Sequence, residues 1–274
     1  AVAGTGATFG NNFSYTEVGH FGLGQFAVYD STFTQVDAVK NECVSGFSNT
    51  LTGGLYGCYF GSQAIPFAVG SSGFGRFIPD HFQVTTNIPE FATACGTFTY
   101  MGQPFHYTTA PVMSLSARNA GGDVTQNYTG NYWKLTNASL GAKSYFLAEG
   151  NLDSGLLLNP DPVISDEGAG IGTLIFSSGG GMAVMREDPV APFDAEISLQ
   201  ISVVDSDGVT YPGNPARFGQ ASPGQGISFS GGKEIRYGRM VIDSAYGPET
   251  QPVTVPVRAE YYNGSAFTLN VADN

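Results

Sequence analysis

The sequence has few charged side chains, and basic side chains are especially scarce. Asp, Glu, Lys and Arg make up 12% of the 274 residues, about half the usual share for a globular protein. The 11 basic and 23 acidic residues give a formal net charge of −12. A protein that binds nucleic acid or an anionic membrane surface needs a basic face. We therefore expect neither partner, and favour divalent cations or other proteins. No apolar run is long enough to insert directly into a bilayer.

Motifs of catalysis are also missing from the sequence. The three histidines, His20, His81 and His106, occur singly, and no Gly-x-Ser-x-Gly nucleophile motif is present. The glycine-rich stretches at residues 4–6 and 168–172 are not followed by a predicted helix, which a dinucleotide-binding loop requires. We therefore expect a protein that is not an enzyme and carries no cofactor.

Glycine is abundant, with 38 residues, and short runs alternate apolar with polar side chains. Such runs predict β-strands at residues 82–86, 112–118, 197–204 and 253–262. Turn sequences separate them at residues 119–123, 177–181, 205–208 and 263–264. The expected fold class is all-β, with two to three consecutive β-sandwich modules of the immunoglobulin-like type. Helix should make up less than about 10% of the chain.

Two segments divide the chain into candidate modules. Residues 70–73 (GSSG) form a linker of small side chains, and residues 186–193 (REDPVAPF) place two prolines before a strong strand run. The alternative merges the central module with its neighbour. The predicted modules are residues 1–74, 75–188 and 189–274.

The sequence has three cysteines and no Cys-x-x-Cys pair, so neither a zinc knuckle nor a thioredoxin-like motif is indicated. Cys43 and Cys58 flank a polar, glycine-bearing stretch. A disulfide between them would close a loop of about 16 residues and stabilise the fold by about 3 kcal/mol. Two buried free thiols are the alternative. We expect Cys95 to be buried and unpaired, or bonded to a segment or subunit outside this chain.

Asp205 and Asp207 are separated by one residue in the loop DSDG, where they are candidate calcium ligands. Calcium binds six to eight oxygen atoms, several of which a tight loop can supply. The loop is not an EF-hand, because no Glu stands at its twelfth position. A solvated Asp-Gly hairpin turn is the alternative, and it needs no ion.

Exposed aromatic rings can stack on the apolar faces of sugars. Tyr132 and Trp133 are the main candidates for glycan stacking, and Tyr56, Tyr59 and Phe60 lie around the predicted disulfide. Because adjacent side chains of a strand point to opposite faces, about half of such residues pack in the core. Core packing is therefore the alternative for each of them.

Short blocks recur along the chain: YTEVG at 15–19, GRFIPDHF at 75–82, ACGTFTYMGQPF at 94–105, ARNAGG at 117–122, NYTG at 127–130, DSDGV at 205–209, and YGRM, AYGPE and AEYYNGSAF within 237–267. Together these blocks resemble the MshQ-like family, proteins associated with biogenesis of mannose-sensitive haemagglutinin type IV pili. The resemblance implies a secreted bacterial β protein, extracellular or at the cell surface, without a catalytic motif to carry over. Similar sequences tend to place a cysteine after the last strand, where this chain has Asn274.

These features favour a rigid, non-catalytic structural or adhesive module of a bacterial pilus or cell envelope. Its expected partners are other envelope or pilus proteins, copies of itself, or glycans. Two alternatives remain. One is a carbohydrate-binding module, and the other is a filament subunit that supplies an edge or terminal strand to the next copy.

Overall fold

A computed structural model of the chain describes residues 2–4, 7–9, 14–30, 37–48, 50–62, 64, 73–177 and 179–273. Strands account for 39% of the residues and helices for 2%, which confirms the predicted all-β class. The chain divides into two compact units, Ala1–Ile78 and Pro79–Asn274. Within the described ranges, no helix has the length and apolar character needed to cross a membrane.

Short strands form the described part of the first unit: β1 (Val2–Gly4), β2 (Ala7–Phe9), β3 (Gly19–Phe21), β4 (Tyr29–Asp30), β5 (Val44–Phe47), β6 (Gly57–Gly61) and β7 (Phe74–Phe77). The pairs β1–β2 and β3–β7 are antiparallel. In the third sheet, β6 lies between β4 and β5, antiparallel to the first and parallel to the second.

The second unit contains β8 (His81–Thr86), β9 (Glu90–Ala92), β10 (Phe98–Tyr100), β11 (Tyr107–Thr109), β12 (Val112–Arg118), β13 (Lys143–Leu147), β14 (Val163–Gly168), β15 (Ile171–Ile175), β16 (Phe193–Asp194), β17 (Ile197–Ile201), β18 (Ala216–Phe218), β19 (Ser228–Ser230), β20 (Glu234–Arg236), β21 (Gly238–Ile242), β22 (Val257–Tyr262) and β23 (Phe267–Leu269), with a 3-10 helix at Gly130–Tyr132. Their sheets have the orders β14-β15-β12-β8, β13-β17-β18, β11-β9-β19, β10-β20-β16 and β21-β22-β23.

The core of the second unit follows from the alternation of its strands. On β12, Met113, Leu115 and Ala117 are buried, whereas the intervening serines are not. The strand therefore buries one face of its sheet and leaves the other polar. On β17, the apolar residues are buried as well. Phe176 and Phe218 bring rings from the ends of these two sheets into edge contact, 5.6 Å apart.

The predicted module boundary between residues 188 and 189 lies inside the second unit. Strand pairs cross this boundary in three sheets, where β9 pairs with β19, β10 with β20, and β13 with β17. Strands from the two sides of residue 188 thus pair in the same sheets, and the module boundaries stay predictions. The first predicted boundary, after residue 74, lies close to the division after Ile78.

Candidate functional site

A disulfide joins Cys43 to Cys58, as the sequence predicts, and brings their Cα atoms within 5.1 Å. Cys43 directly precedes β5, and Cys58 is the second residue of β6. The bond therefore ties together two strands that also pair in one sheet. It holds the start of β5 beside β6.

The chain between the two cysteines turns at the glycines that mark the tip of the loop. Gly53 and Gly54 have φ angles of 60° and 88°, which fit a two-residue type I′ hairpin turn. Thr52 and Leu55 exchange backbone hydrogen bonds across it, at 2.8 and 3.1 Å. Residues 52–55 thus form a closed turn at the tip of the loop.

Cys95, the third cysteine, is free and half-buried. The side-chain amide of Gln103 donates a hydrogen bond to its Sγ over 3.3 Å. The thiol is thus unpaired, as one of the two expectations states, although it is less buried than expected. A covalent partner outside this chain stays a prediction.

Beside the disulfide lies a group of aromatic rings that we call the aromatic surface: Phe26, Tyr29, Phe47 and Tyr59. Phe47 is at its centre, with ring centroids 5.0 Å from Phe26, 5.3 Å from Tyr29 and 5.0 Å from Tyr59. These are the separations of stacked and edge-to-face aromatic pairs. Phe47 is nevertheless 46% exposed and Tyr29 57% exposed. The cluster therefore presents apolar ring area to solvent instead of filling a core.

The sheet explains why these rings meet. Phe47 on β5 is the register partner of Tyr59 on β6, and Tyr29 on β4 is the partner of Gly61 on the same central strand. A Cβ atom at Gly61 would lie 2.7 Å from the backbone oxygen of Val28. Glycine at this position lets β4 approach β6 closely enough for Tyr29 to reach Phe47.

Sequence reasoning found part of this surface. Tyr59 belongs to it, and Tyr56 is a separate exposed ring near the loop. The side chain of Phe60 lies outside the described residues. Phe26, Tyr29 and Phe47 were missed because none of them has an aromatic neighbour in the sequence. The predicted disulfide could have identified Phe47 as part of the surface, because it brings residues 43–47 alongside β6.

The structure places Trp133 against its own unit. Its ring centroid lies 5.1 Å from that of Tyr128, and its Nε1 donates to the backbone oxygen of Leu135 over 2.9 Å. A Cβ atom at Gly172 would lie 2.1 Å from the indole, so the ring lies directly on β15. Both Trp133 and Tyr132 are half-buried. Packing accounts for the position of Trp133, and glycan stacking at these two residues stays a prediction.

The carboxylate of Asp205 is 3% exposed and is used by its own hairpin. Its Oδ2 accepts a hydrogen bond from the Tyr128 hydroxyl over 2.7 Å. Its Oδ1 accepts from the backbone N–H groups of Asp207 and Val209, over 2.9 and 3.0 Å. In the parts of the chain that the structure describes, no group of three or more His, Cys, Asp or Glu is arranged to hold a metal ion. These contacts fit the alternative, a hairpin turn that needs no ion, and calcium binding by Asp205 and Asp207 remains to be tested.

These contacts lead to a test of the turn. Asp205→Ala should lower the free energy of unfolding by about 2 kcal/mol, because a buried hydroxyl and two backbone N–H groups lose a charged acceptor. Chelator should leave the melting temperature of the unchanged protein as it is. A chelator-induced fall that Asp207→Asn abolishes would contradict this expectation and establish a calcium site.

A cavity of about 390 Å³ in the second unit is the next candidate, lined by Tyr100, Arg186, Gly238, Arg239, Met240, Ala259 and Asp273. The Tyr100 hydroxyl donates to Asp273 over 2.9 Å, and Arg186 donates to the backbone oxygen of Gly238 over 3.0 Å. Burial, reinforced by Asp273, raises the pKa of Tyr100 to about 12. The polar groups of this cavity thus already have partners within the protein, including Arg239, which donates to Glu260. The cavity therefore carries weaker evidence for a ligand than the aromatic surface.

Comparisons with known proteins assign the chain by family. Residues 46–225 match the family described as DUF6701, third domain, and residues 236–274 match DUF6701, fourth domain. The second match contains the whole β21-β22-β23 sheet. No curated protein and no solved structure matches the chain. Because the first match covers more than half of its length, the chain belongs to the DUF6701 family.

Proposed function

We propose that the chain is a non-catalytic, extracellular module of a bacterial pilus or cell envelope, and that it uses the aromatic surface for adhesion. The observation that carries this proposal is the exposure of Phe47 and Tyr29 within a ring cluster that a disulfide holds in place. Large aromatic groups facing solvent together mark a binding surface more often than chance exposure does. The resemblance to MshQ-like proteins supports the envelope or pilus setting.

The disulfide supports the extracellular location. Disulfides form and persist in oxidising compartments outside the cytosol. The Cys43–Cys58 bond joins two neighbouring strands of a small three-stranded sheet. A sheet of so few short strands is only marginally stable by itself. A structural cross-link at this place suits a module that works outside the cell.

The carboxylates with altered pKa support a non-catalytic role, because each serves the fold. Burial alone would raise the pKa of Asp166, but hydrogen bonds from Gly130, Gly168 and Thr129 hold it below the ordinary value. Burial would also raise the pKa of Glu196, but Lys233 and the backbone N–H groups of Gly224 and Gly226 hold it below the ordinary value. Altered pKa values also arise in structural networks, and these two carboxylates fit that explanation.

A glycan is the ligand that the aromatic surface fits best. Aromatic faces contact the apolar C–H face of a sugar ring, and the hydroxyls of Tyr29 and Tyr59 can bond its polar groups. The scarcity of basic residues, 11 in the chain, gives no preference for a polyanion. This observation favours the carbohydrate-binding alternative as the mode of adhesion.

The test is an array of neutral and acidic oligosaccharides probed with the protein and its variants. Phe47→Ala and Tyr29→Ala should each weaken binding about tenfold, because one stacked ring contributes about 1 kcal/mol or more. Tyr246→Ala is the control, since Tyr246 is a single ring that is 93% exposed. An array without bound glycan, or equal binding by all three variants, would contradict the proposal.

A further inference from the structure

The outer edge of β21 is an open strand edge with apolar side chains. β21 ends the β21-β22-β23 sheet, and within the described ranges no strand pairs with its outer side. Met240 and Ile242 on this strand are 77% and 68% exposed. Proteins usually protect such an edge with lysine, proline or a bulge. β21 has no lysine, proline or bulge, and its register with β22 is unbroken. Its one charged side chain, Arg239, is paired with Glu260 on β22 and so is not a free charge that guards the edge.

The ladder between β21 and β22 shows which backbone groups are free to pair. The N–H of Asp243 donates to the backbone oxygen of Pro256 over 3.0 Å. Bonded positions alternate along an antiparallel ladder, so every second residue counted back from Asp243 faces β22. The N–H and C=O groups of Met240 and Ile242 therefore point to the open side.

We propose that β21 pairs antiparallel with β21 of a second copy, about a two-fold axis through Val241. In this register, Met240 and the partner's Ile242 exchange their outward N–H and C=O groups. Arg239 faces the partner's Asp243 at a non-bonded position, where cross-strand side chains lie closest. The symmetry repeats each pair, so the strand is complementary to itself in both its backbone and its charges.

The neighbouring register fits less well. If the axis passed through Met240, Gly238 would have to bond the partner's Ile242. The oxygen of Gly238, however, already accepts a hydrogen bond from Arg186 over 3.0 Å. Arg239 would then face an apolar residue, and Asp243 would have no partner on the strand. The axis through Val241 avoids both problems.

Across the proposed interface, the charged side chains of one copy lie beside side chains of opposite charge in the other. Within one copy, Arg239 donates to Glu260 over 2.7 Å, and Arg258 pairs with Asp243. All four side chains lie on one face of the sheet, because their positions share the register of β21 and β22. Pairing sets Arg239 of one copy beside Asp243 of the other, so acidic and basic groups alternate along the joined sheet.

The assembly formed in this way is closed. An isologous contact uses the same surface on both copies, so it yields a dimer and does not propagate into a fibre. A filament would need a second, different interface. This inference goes beyond the proposed adhesive function and does not depend on it, because glycan binding and dimer formation are measured separately.

Sedimentation velocity over a wide range of protein concentrations tests the dimer. The protein should shift from monomer to dimer as its concentration rises. Met240→Pro should remain monomeric, because proline removes an outward N–H and leaves the bonds to β22 intact. Val257→Lys is the control. Val257 is half-exposed and lies on the same face of the sheet as Met240 and Ile242, but it belongs to the inner strand β22.

The outcomes separate edge pairing from other contacts. A protein that stays monomeric at every concentration would overturn the proposal, and so would a Met240→Pro variant that dimerises as well as the parent. Loss of the dimer in Val257→Lys alone would indicate packing of sheet faces and would also overturn it. Retention in Val257→Lys with loss in Met240→Pro is the expected result.

A cysteine placed on the axis tests the register. In a Cys95→Ser background, Val241→Cys should give a disulfide-linked dimer, because residues facing at a non-bonded position have Cα atoms about 4.5 Å apart. Ile242→Cys should link far less, since its copies are offset along the strands. Linkage through Met240→Cys in place of Val241→Cys would overturn the register. Trp133 fluorescence verifies that each variant is folded.

Discussion

Glu196→Ala should lower the free energy of unfolding of the second unit by about 3 kcal/mol, because a buried ion pair loses one partner. The carboxylate is 5% exposed. It accepts hydrogen bonds from the backbone N–H groups of Gly224 and Gly226 over 2.7 and 2.6 Å, and it pairs with Lys233. Glu196 thereby fastens a loop to the start of β17. Urea unfolding followed by Trp133 fluorescence measures the loss.

Glu234→Ala is the matched control. The Glu234 side chain is 39% exposed, and its partner Arg236, which is 16% exposed, keeps a hydrogen bond to Asn270 when the Glu234 carboxylate is removed. Exposed ion pairs contribute at most about 1 kcal/mol, so this variant should unfold close to the parent. A loss in Glu196→Ala that does not exceed the control would show that the loop is held by other contacts.

Lowering the pH should remove the stabilisation that the Glu196 carboxylate contributes to the unchanged protein. Burial alone would raise the pKa of Glu196, but the hydrogen bonds from Lys233, Gly224 and Gly226 outweigh it and hold the pKa below the ordinary 4.5. A carboxylate whose pKa is lower in the folded state stabilises the fold above its unfolded pKa. That stabilisation is lost as the pH falls from about 4.5 through the folded pKa. The urea midpoint of Glu196→Ala should fall less over this interval.

The alternation of side chains was enough to locate strands but not to bound all of them. Residues 112–118 form β12 with the predicted bounds, because apolar and polar residues alternate along the whole run. The run at residues 253–262 forms β22 only from Val257 onward. Pro256 has no N–H to give to a ladder, and this local chemistry overrides the β-branched composition before it.

The sequence pattern did not predict which strands pair with each other. β9 pairs in parallel with β19 and β10 with β20, although each pair is separated by more than a hundred residues. Alternation shows which face of a strand is buried, but it does not show which strand lies beside it. For this reason the modules predicted on either side of residue 188 looked separate in the sequence and share sheets in the structure.

The candidate site, too, was only partly predictable from the sequence. The spacing and composition around Cys43 and Cys58 were enough to predict their disulfide. The meeting of Tyr29 with Phe47 depends on the pairing of β4 with β6, which brings distant residues together. No local pattern marks either ring. Only the part of the site that is close in sequence to the cysteines was therefore predictable.

Reduction of the Cys43–Cys58 disulfide should lower the free energy of unfolding of the first unit by about 3 kcal/mol. The bond spans a sequence separation of 15 residues, and opening such a loop returns its entropy to the unfolded chain. For a unit of this size, each kcal/mol shifts the melting temperature by about 4–8 °C, so the expected fall is roughly 12–24 °C. Calorimetry with and without reductant measures it.

Two controls locate this effect in the first unit. Trp133, the chain's one tryptophan, lies in the second unit, so its fluorescence should show no comparable shift on reduction. A Cys43→Ser/Cys58→Ser variant should melt like the reduced protein, and Cys95→Ser should melt like the parent. Glycan binding should weaken in the Cys43→Ser/Cys58→Ser variant, because Phe47 and Tyr59 lie on the two strands that the disulfide connects. If the first unit melted at one temperature in both redox states, the β4-β6-β5 ladder and its rings would be sufficient to hold it, and the cross-link would not explain the exposed aromatic surface.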